Sequence, residues 1–326
     1  MLQEKFVIEI QDHMLQGCIW HPDAEAEGQN GEADTAGLSG IILLIHGMAE
    51  HIRRYAGFAE FLTAHGYLLA GIDLPGHGAS AVSNQELGHF ADKDGWRYVV
   101  NSLCRVRAML LRRYAGLPLV LMGHSMGSLY ARYLAAYCRN AAEPAAGYIF
   151  CGTPGPNAML PAGLLLARLQ RRIKGRRWHS KSIDRFMNGP FNRQFRPVQT
   201  EADWLSRDPE AVNAYLADPK CGFVFTASAY YDLFSVMKRV QTAKWGRALD
   251  PELPYLVISG TEDPVGGNGK GVEKVVRRMR RGGAADVTLH LYEGARHELL
   301  NETNRGEIMQ DILQWLQRVV SESPKK

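Results

Sequence analysis

Gly123-His124-Ser125-Met126-Gly127 sets one serine between two glycines, each two positions away. In the pattern G-x-S-x-G the serine sits on a sharp strand-to-helix turn that presents its hydroxyl as a nucleophile. The flanks supply that setting: the apolar run PLVLMGH ends at the serine, and the helical run SLYARYLAAY follows it. A side chain at either glycine position would clash in so tight a turn, which gives Gly123 and Gly127 a physical reason to be there. The competing reading is a glycine-rich turn holding an incidental serine, and the strand and helix on either side weigh against it.

A hydroxyl attacks only when a base takes its proton, and that base needs an acid to hold its tautomer. Of eleven histidines, His290 and His297 lie in the last strand–loop–helix unit. His290 falls inside the alternating run VTLHLY and reads as a strand residue. His297 follows in the turn after Glu293-Gly294-Ala295-Arg296, where a catalytic base belongs. For the acid, the run YLVISG leads into Thr261-Glu262-Asp263-Pro264. Asp263 lies at the carboxyl end of that strand, where open α/β sheets gather their sites, and Glu262 is its neighbouring competitor. Acyl transfer also needs donors for the developing oxyanion. The Met126 amide, next after the serine, is one. The loop His46-Gly47-Met48-Ala49-Glu50-His51 offers the Met48 amide as the second, with Gly47 permitting a close backbone approach. His46, at a strand end, reads as a structural hydrogen-bonding residue, and Asp73 and His77 read as braces. His124 and the two elbow glycines complete the supporting set.

The elements that must position these residues follow an α/β rhythm. Eight strand runs are read at Lys5–Ile10, Gln16–Trp20, Ile41–His46, Tyr67–Asp73, Pro118–His124, Ala146–Gly152, Tyr255–Gly260 and Asp286–Tyr292. The first two look like an antiparallel hairpin, and the compact apolar runs from Ile41 to Gly152 suit a mostly parallel sheet buried on both faces. Helices are expected at Tyr55–His65, Trp96–Tyr114, Ser125–Arg139, Gly271–Arg281 and near Arg305–Val320. From about 153 to 231 the rhythm breaks, which predicts a mostly helical insertion, since the stretch is too long for a loop. The expected division is a core at 1–152 and 232–326 with the insertion between its halves. The stretch 23–40, carrying Asp23, Glu25, Glu27, Glu32 and Asp34, reads as a solvated acidic loop.

HGMAEHIRRY (46–55), GYLLAGIDLPGHGAS (66–80), GHSMGS (123–128) and LYEGARHELLNETNR (291–305) together resemble the α/β-hydrolase superfamily. More narrowly, the chain resembles the monoacylglycerol lipase and lysophospholipase branch, grouped with serine aminopeptidase-like hydrolases. The resemblance implies Ser125 as nucleophile, Asp263 as acid and His297 as base, in that chain order. It also implies the Met48 and Met126 amides as oxyanion donors and a helical lid inserted after the sixth strand. Ser128 departs from the family pattern, which commonly has Gly there.

The expected activity is hydrolysis of a carboxylic ester through an acyl-enzyme, on a small ester or lipid-like substrate such as a monoacylglycerol or lysophospholipid. An iminopeptidase-type amidase keeps the triad but needs lid acids to bind a free amino terminus. Glu201, Asp203 and Asp208 are the candidates, in a lid that is basic overall. A pseudo-hydrolase binding protein is the non-enzyme alternative, and a dehalogenase is excluded because it carries Asp at the elbow. With 38 basic and 34 acidic residues the net charge is +4, mild for a nucleic-acid binder. No metal cluster, P-loop or dinucleotide signature accompanies the site, so no metal or cofactor is expected. No signal peptide is read at the N-terminus, and the longest apolar run, Ala158–Ala167, is about half a membrane span. Five scattered cysteines fit reduced thiols, and a cytoplasmic location is expected. Leu164, Leu165, Leu169 and Ile173 recur at helical spacing among Arg168, Arg171, Arg172, Lys174, Arg176 and Arg177. That pattern fits either a lid helix with its apolar stripe packed on the core, the favoured reading, or one making transient contact with a membrane surface.

Overall fold

The computed structural model of the protein describes residues 1–11, 13–22, 35–139 and 144–322. The acidic residues from Asp23 to Asp34 lie outside the described residues. In chain order the elements are β1 (Leu2–Ile10), β2 (His13–His21), β3 (Gly40–Ile45), α1 (Ala56–Thr63), β4 (Tyr67–Ile72) and α2 (Gly95–Arg113). Then come β5 (Leu119–His124), α3 (Met126–Tyr137), β6 (Gly147–Cys151), α4 (Leu160–Ile173), α5 (Lys181–Asn188) and α6 (Pro209–Ala217). The chain closes with α7 (Ala227–Val240), α8 (Ala243–Ala248), β7 (Tyr255–Gly260), α9 (Lys270–Arg281), β8 (Val287–Tyr292) and α10 (Arg305–Glu322).

Among the described residues, eight strands form one sheet in the order β1-β2-β4-β3-β5-β6-β7-β8. The β1–β2 and β2–β4 pairings are antiparallel, and the rest are parallel. Every residue of β3, β4, β5, β6 and β7 is buried. Their nearly continuous apolar sequences follow from being covered on both faces. One face packs on a core that includes Leu103, Leu129 and Val236; the other packs on Phe58, Leu62, Ile312 and Leu316. Crossing between β3 and β5 at the centre gathers the carboxyl ends of β3, β5, β6, β7 and β8 along one edge.

Residues 153–231 hold α4, α5, α6 and the start of α7 joined by turns and loops, and α7 runs across 231/232 without a break. It packs against α2, α3 and α4. Helix α4 turns the small residues Gly163 and Ala167 inward, with Gly163 against the Phe234 ring of α7. Leu164 is half-buried, whereas Leu165, Leu169 and Ile173 are 69%, 51% and 71% exposed. The favoured reading of a stripe packed on the core is therefore corrected. Gly163 and Ala167 let α4 approach α7 closely, Leu160 and Leu164 pack beside them, and Leu165, Leu169 and Ile173 are left facing out.

Asp232 on α7 is buried and accepts hydrogen bonds from the Gly95 and Trp96 amides at the start of α2. Burial pushes its carboxyl up to about 7. The unfolded carboxyl ionises near pH 4, so Asp232 opposes folding increasingly from about pH 4 to pH 7 and constantly above. Asp232→Asn removes that opposition. Its stability relative to wild type should rise between pH 4.5 and pH 8, by at most about 4 kcal/mol, in chemical unfolding at the two pH values. A difference that stays flat or falls with pH would contradict it.

Candidate active site

Ser125 stands at the β5–α3 junction with φ 52° and ψ −116°, a backbone conformation that a residue with a side chain seldom adopts. Tight surroundings over-determine it. A methyl on Gly127 would collide with the Ile45 carbonyl of β3, and one on Gly123 with the Gly127 carbonyl. The Ser125 amide donates to the Cys151 carbonyl of β6 at 2.9 Å. Ser128 also contributes: its hydroxyl lies 2.5 Å from the Ser125 carbonyl and 2.7 Å from Thr153 Oγ1. A glycine at 128 would supply neither contact.

His297, in the loop after β8, and Asp263, in the loop after β7, are brought together: His297 Nδ1 donates to Asp263 Oδ1 at 3.0 Å, with both side chains buried. Burial works against the Asp263 charge, but attraction and hydrogen bonding from His297, with the Val265 and Gly266 amides, hold it below the usual carboxylate range. Glu262 is exposed, which separates the two acidic candidates. His290 stays in β8 facing Asp311 at 3.4 Å, away from this pair. The Trp204 ring lies 5.0 Å from that of His297.

The loop after β3 is held from below. His46 donates from Nδ1 to the Gly47 carbonyl and accepts at Nε2 from the Leu74 amide at 2.9 Å. His77 donates from Nδ1 to the Pro75 carbonyl and accepts from the Ala49 amide at 3.4 Å. Both rings are fully buried and kept neutral by it, His77 being pushed down to about 3. Asp73 accepts from the Ile52 and Ala79 amides at 2.9 and 2.6 Å. Gly47 packs so close that an added methyl would meet Glu50 and the Ser125 side chain. Met126 is the first residue of α3, so its amide has no acceptor within the helix.

A cavity of about 770 Å³ opens over these groups. Ser125, Met48, Met126 and His297 line it together with apolar side chains such as Leu160, Leu216, Phe223 and Met237. Such an arrangement can activate a hydroxyl, bind an oxyanion between two amides and enclose an apolar chain. Glu50, Arg54 and Glu298 also gather here: Arg54 bonds Glu50 at 2.8 Å and Glu298 at 2.6 and 2.7 Å. Sequence reading passed over this trio. Glu50 and Arg54 show the i, i+4 spacing of an ion pair and Glu298 adjoins His297, but nothing local connects the two segments. His51, Asp218 and Cys221 have potential metal-ligating atoms within 4.8 Å of one another. There His51 Nε2 is already hydrogen-bonded to Asp218 at 2.8 Å.

The family model described as "Serine aminopeptidase, S33" matches residues 37–304. The chain is similar to a monoacylglycerol lipase of Mycolicibacterium smegmatis, 26% identical over 91% of each chain. It is also similar to the human monoglyceride lipase, 28% identical over 85% of this chain and 82% of that one. Among solved structures, a thermostable carboxyl esterase from Bacillus coagulans, in complex with glycerol, aligns with a TM-score of 0.86. It is 25% identical and covers 98% of this chain and 99% of that one.

Since the elbow depends on the approach of Gly127 to β3, Gly127→Ala should destabilise the protein by about 1–3 kcal/mol in chemical unfolding. Gly57→Ala, in α1 where an added methyl meets nothing, should be neutral or stabilise by up to about 1 kcal/mol. Equal effects of the two would show that the close approach is not required.

Proposed function

The chain belongs to the serine aminopeptidase S33 family and is an α/β-hydrolase of the monoacylglycerol lipase type; from that premise we propose that it cleaves carboxylic esters through an acyl-enzyme on Ser125. The observation that carries the reading is the buried His297–Asp263 pair at 3.0 Å, on one cavity with the strained Ser125. Ser125 Oγ attacks the ester carbonyl while His297 Nε2 takes its proton, and Asp263 holds Nδ1–H in the required tautomer. The oxyanion is received by the Met48 and Met126 amides. His297 returns the proton to the leaving alcohol, and water, activated by the same base, releases the acid.

The size and apolar lining of the cavity support a monoacylglycerol or lysophospholipid as substrate. An amidase reading draws support from the family's description, but two of its three acids have other partners. Asp203 accepts from the Gln199 and Thr200 amides, and Asp208 caps α6 and pairs with Arg305. Glu201 alone of the three lines the cavity. We read residues 153–231 as a lid over the core at 1–152 and 232–326. The outward stripe Leu165, Leu169 and Ile173, with Met159 also exposed, is flanked by Arg168, Arg172 and Arg176. That pairing of apolar and basic groups suits a transient seat on an anionic lipid surface. No helix among the described residues is long and apolar enough to cross a membrane.

A fluorophosphonate probe should label the wild type and leave Ser125→Ala unlabelled. Folded wild-type protein that takes no label would favour a binding protein instead. Asp263→Asn should lower kcat on nitrophenyl esters about 10⁴-fold, and a clear preference for a prolyl amide over every ester would overturn the ester assignment.

The lid reading predicts co-sedimentation with vesicles containing phosphatidylglycerol, little with pure phosphatidylcholine, and at least tenfold weaker binding by the triple variant Leu165→Ser, Leu169→Ser, Ile173→Ser. Equal binding by the variant would remove the stripe from the interface.

A further inference from the structure

Four charged or chargeable side chains meet beneath the proposed nucleophile: Glu50 from the loop after β3, Arg54 from the turn that follows it, His124 from the end of β5 and Glu298 from the loop after β8. Glu50 follows the oxyanion loop and is 2% exposed. Its Oε1 accepts from the Gly47 amide and from Tyr55 Oη at 2.8 Å, and faces His124 Nδ1 at 3.2 Å. Its Oε2 accepts from Arg54, which makes a two-pronged bond to Glu298, the residue after the base. His124, beside Ser125, turns Nε2 to the His297 carbonyl at 3.3 Å.

The partners of His124 are a carboxylate and a carbonyl, neither of which can donate. A neutral imidazole carries one N–H and would oppose a lone pair to one of them; only the doubly protonated ring satisfies both. Charge balance agrees. Glu50 and Glu298 against Arg54 leave one buried negative charge, and a buried net charge is costly; a proton on His124 cancels it. Burial alone would push the His124 ring down, but its hydrogen bond and attraction to Glu50 carry it above the usual imidazole value. The groups facing His124 are Glu50, Glu298, the His297 ring at 4.8 Å and the Tyr55 ring at 6.4 Å.

We propose that Glu50, Arg54, His124 and Glu298 form one positioning unit, with His124 held as an imidazolium, that fixes the oxyanion loop, the elbow and the base loop against one another. The inference rests on the serine-hydrolase reading above. The four are positioning residues: Glu50 orders the Gly47 amide and the Met48 peptide beyond it, His124 ties the Ser125 turn to the His297 carbonyl, and Arg54 with Glu298 anchors the base loop from the far side. Glu298→Gln keeps the shape and one of the two oxygens that accept from Arg54, puts an NH2 donor in place of the other, and removes the charge that makes the cluster neutral.

Nitrogen-15 NMR of histidine-labelled protein, with His124 assigned by its loss in His124→Gln, should show both ring nitrogens protonated at pH 7.5. In Glu50→Gln the same ring should be neutral at that pH. On a short nitrophenyl ester, Glu298→Gln and His124→Gln should lose about tenfold to a hundredfold in kcat, with KM within about threefold and cooperative unfolding retained. A single neutral tautomer of His124 in the wild type overturns the proposal, even where a variant fails to fold. So do kcat values within twofold of wild type for both folded variants. If the wild type neither hydrolyses esters nor takes the fluorophosphonate, the hydrolase reading fails and the positioning role with it; the NMR result then reports on the charge arrangement alone.

Discussion

The turn at Ser125 is the constraint around which the rest is arranged. Holding a serine at φ 52° costs on the order of 1–3 kcal/mol, and such a conformation persists only where its surroundings over-determine it. Here β3 and β6 do so from either side of β5, through the Ile45 carbonyl against Gly127 and the Cys151 carbonyl on the Ser125 amide. The central parallel sheet is what brings those two carbonyls to the turn. Its burial on both faces, by helices on each side, makes the turn rigid.

Buried polar groups at the same edge of the sheet obey one rule: each carboxylate is enclosed by donors. Asp73 holds two amides, Asp263 holds His297 and the Val265 amide, and Glu302 takes the Arg207 side chain and the Arg296 amide. A carboxylate left without partners at that depth would cost several kcal/mol or take up a proton. The loops are therefore defined by their charges as much as by their backbones. Asp73 bonds amides that lead into and out of neighbouring loops, so the loop after β3 inherits its position from the loop after β4.

Much of this was legible in the sequence, for a physical reason. Strand ends, tight turns and the residues just beyond them are local features, so Ser125, Asp263 and His297 could be marked from the runs that precede them. Burial adds a second distinction between Asp263 and its exposed neighbour Glu262, one that adjacency in the sequence does not reveal. The Arg54–Glu298 pair was invisible because its members are 244 residues apart and neither sits in a pattern that asks for the other. Ser128 showed in the sequence only as a departure from the family pattern, whereas its hydroxyl contacts the carbonyl of the very residue under strain. The segment from 153 to 231 could be marked as helical but not folded up in advance, because helical periodicity tells which residues share a face and not which face turns inward.

Helix α4 shows that last point physically. Periodicity groups Leu165, Leu169 and Ile173 on one face and Gly163 with Ala167 on another, and ordinary amphipathic reasoning would bury the larger set. Burial of a leucine contributes about 1.5–3 kcal/mol, so leaving three large apolar side chains out forfeits a good deal of that. Close packing of α4 on α7, where Gly163 meets the Phe234 ring, offsets part of it, since only small residues allow helix axes to approach so near. The two faces thus compete for one groove, and the small-residue face wins it. What remains outward is an apolar stripe edged by arginines, adjoining the Leu160 and Gly163 wall of the cavity. The same packing choice that encloses the cavity also leaves its outer rim apolar.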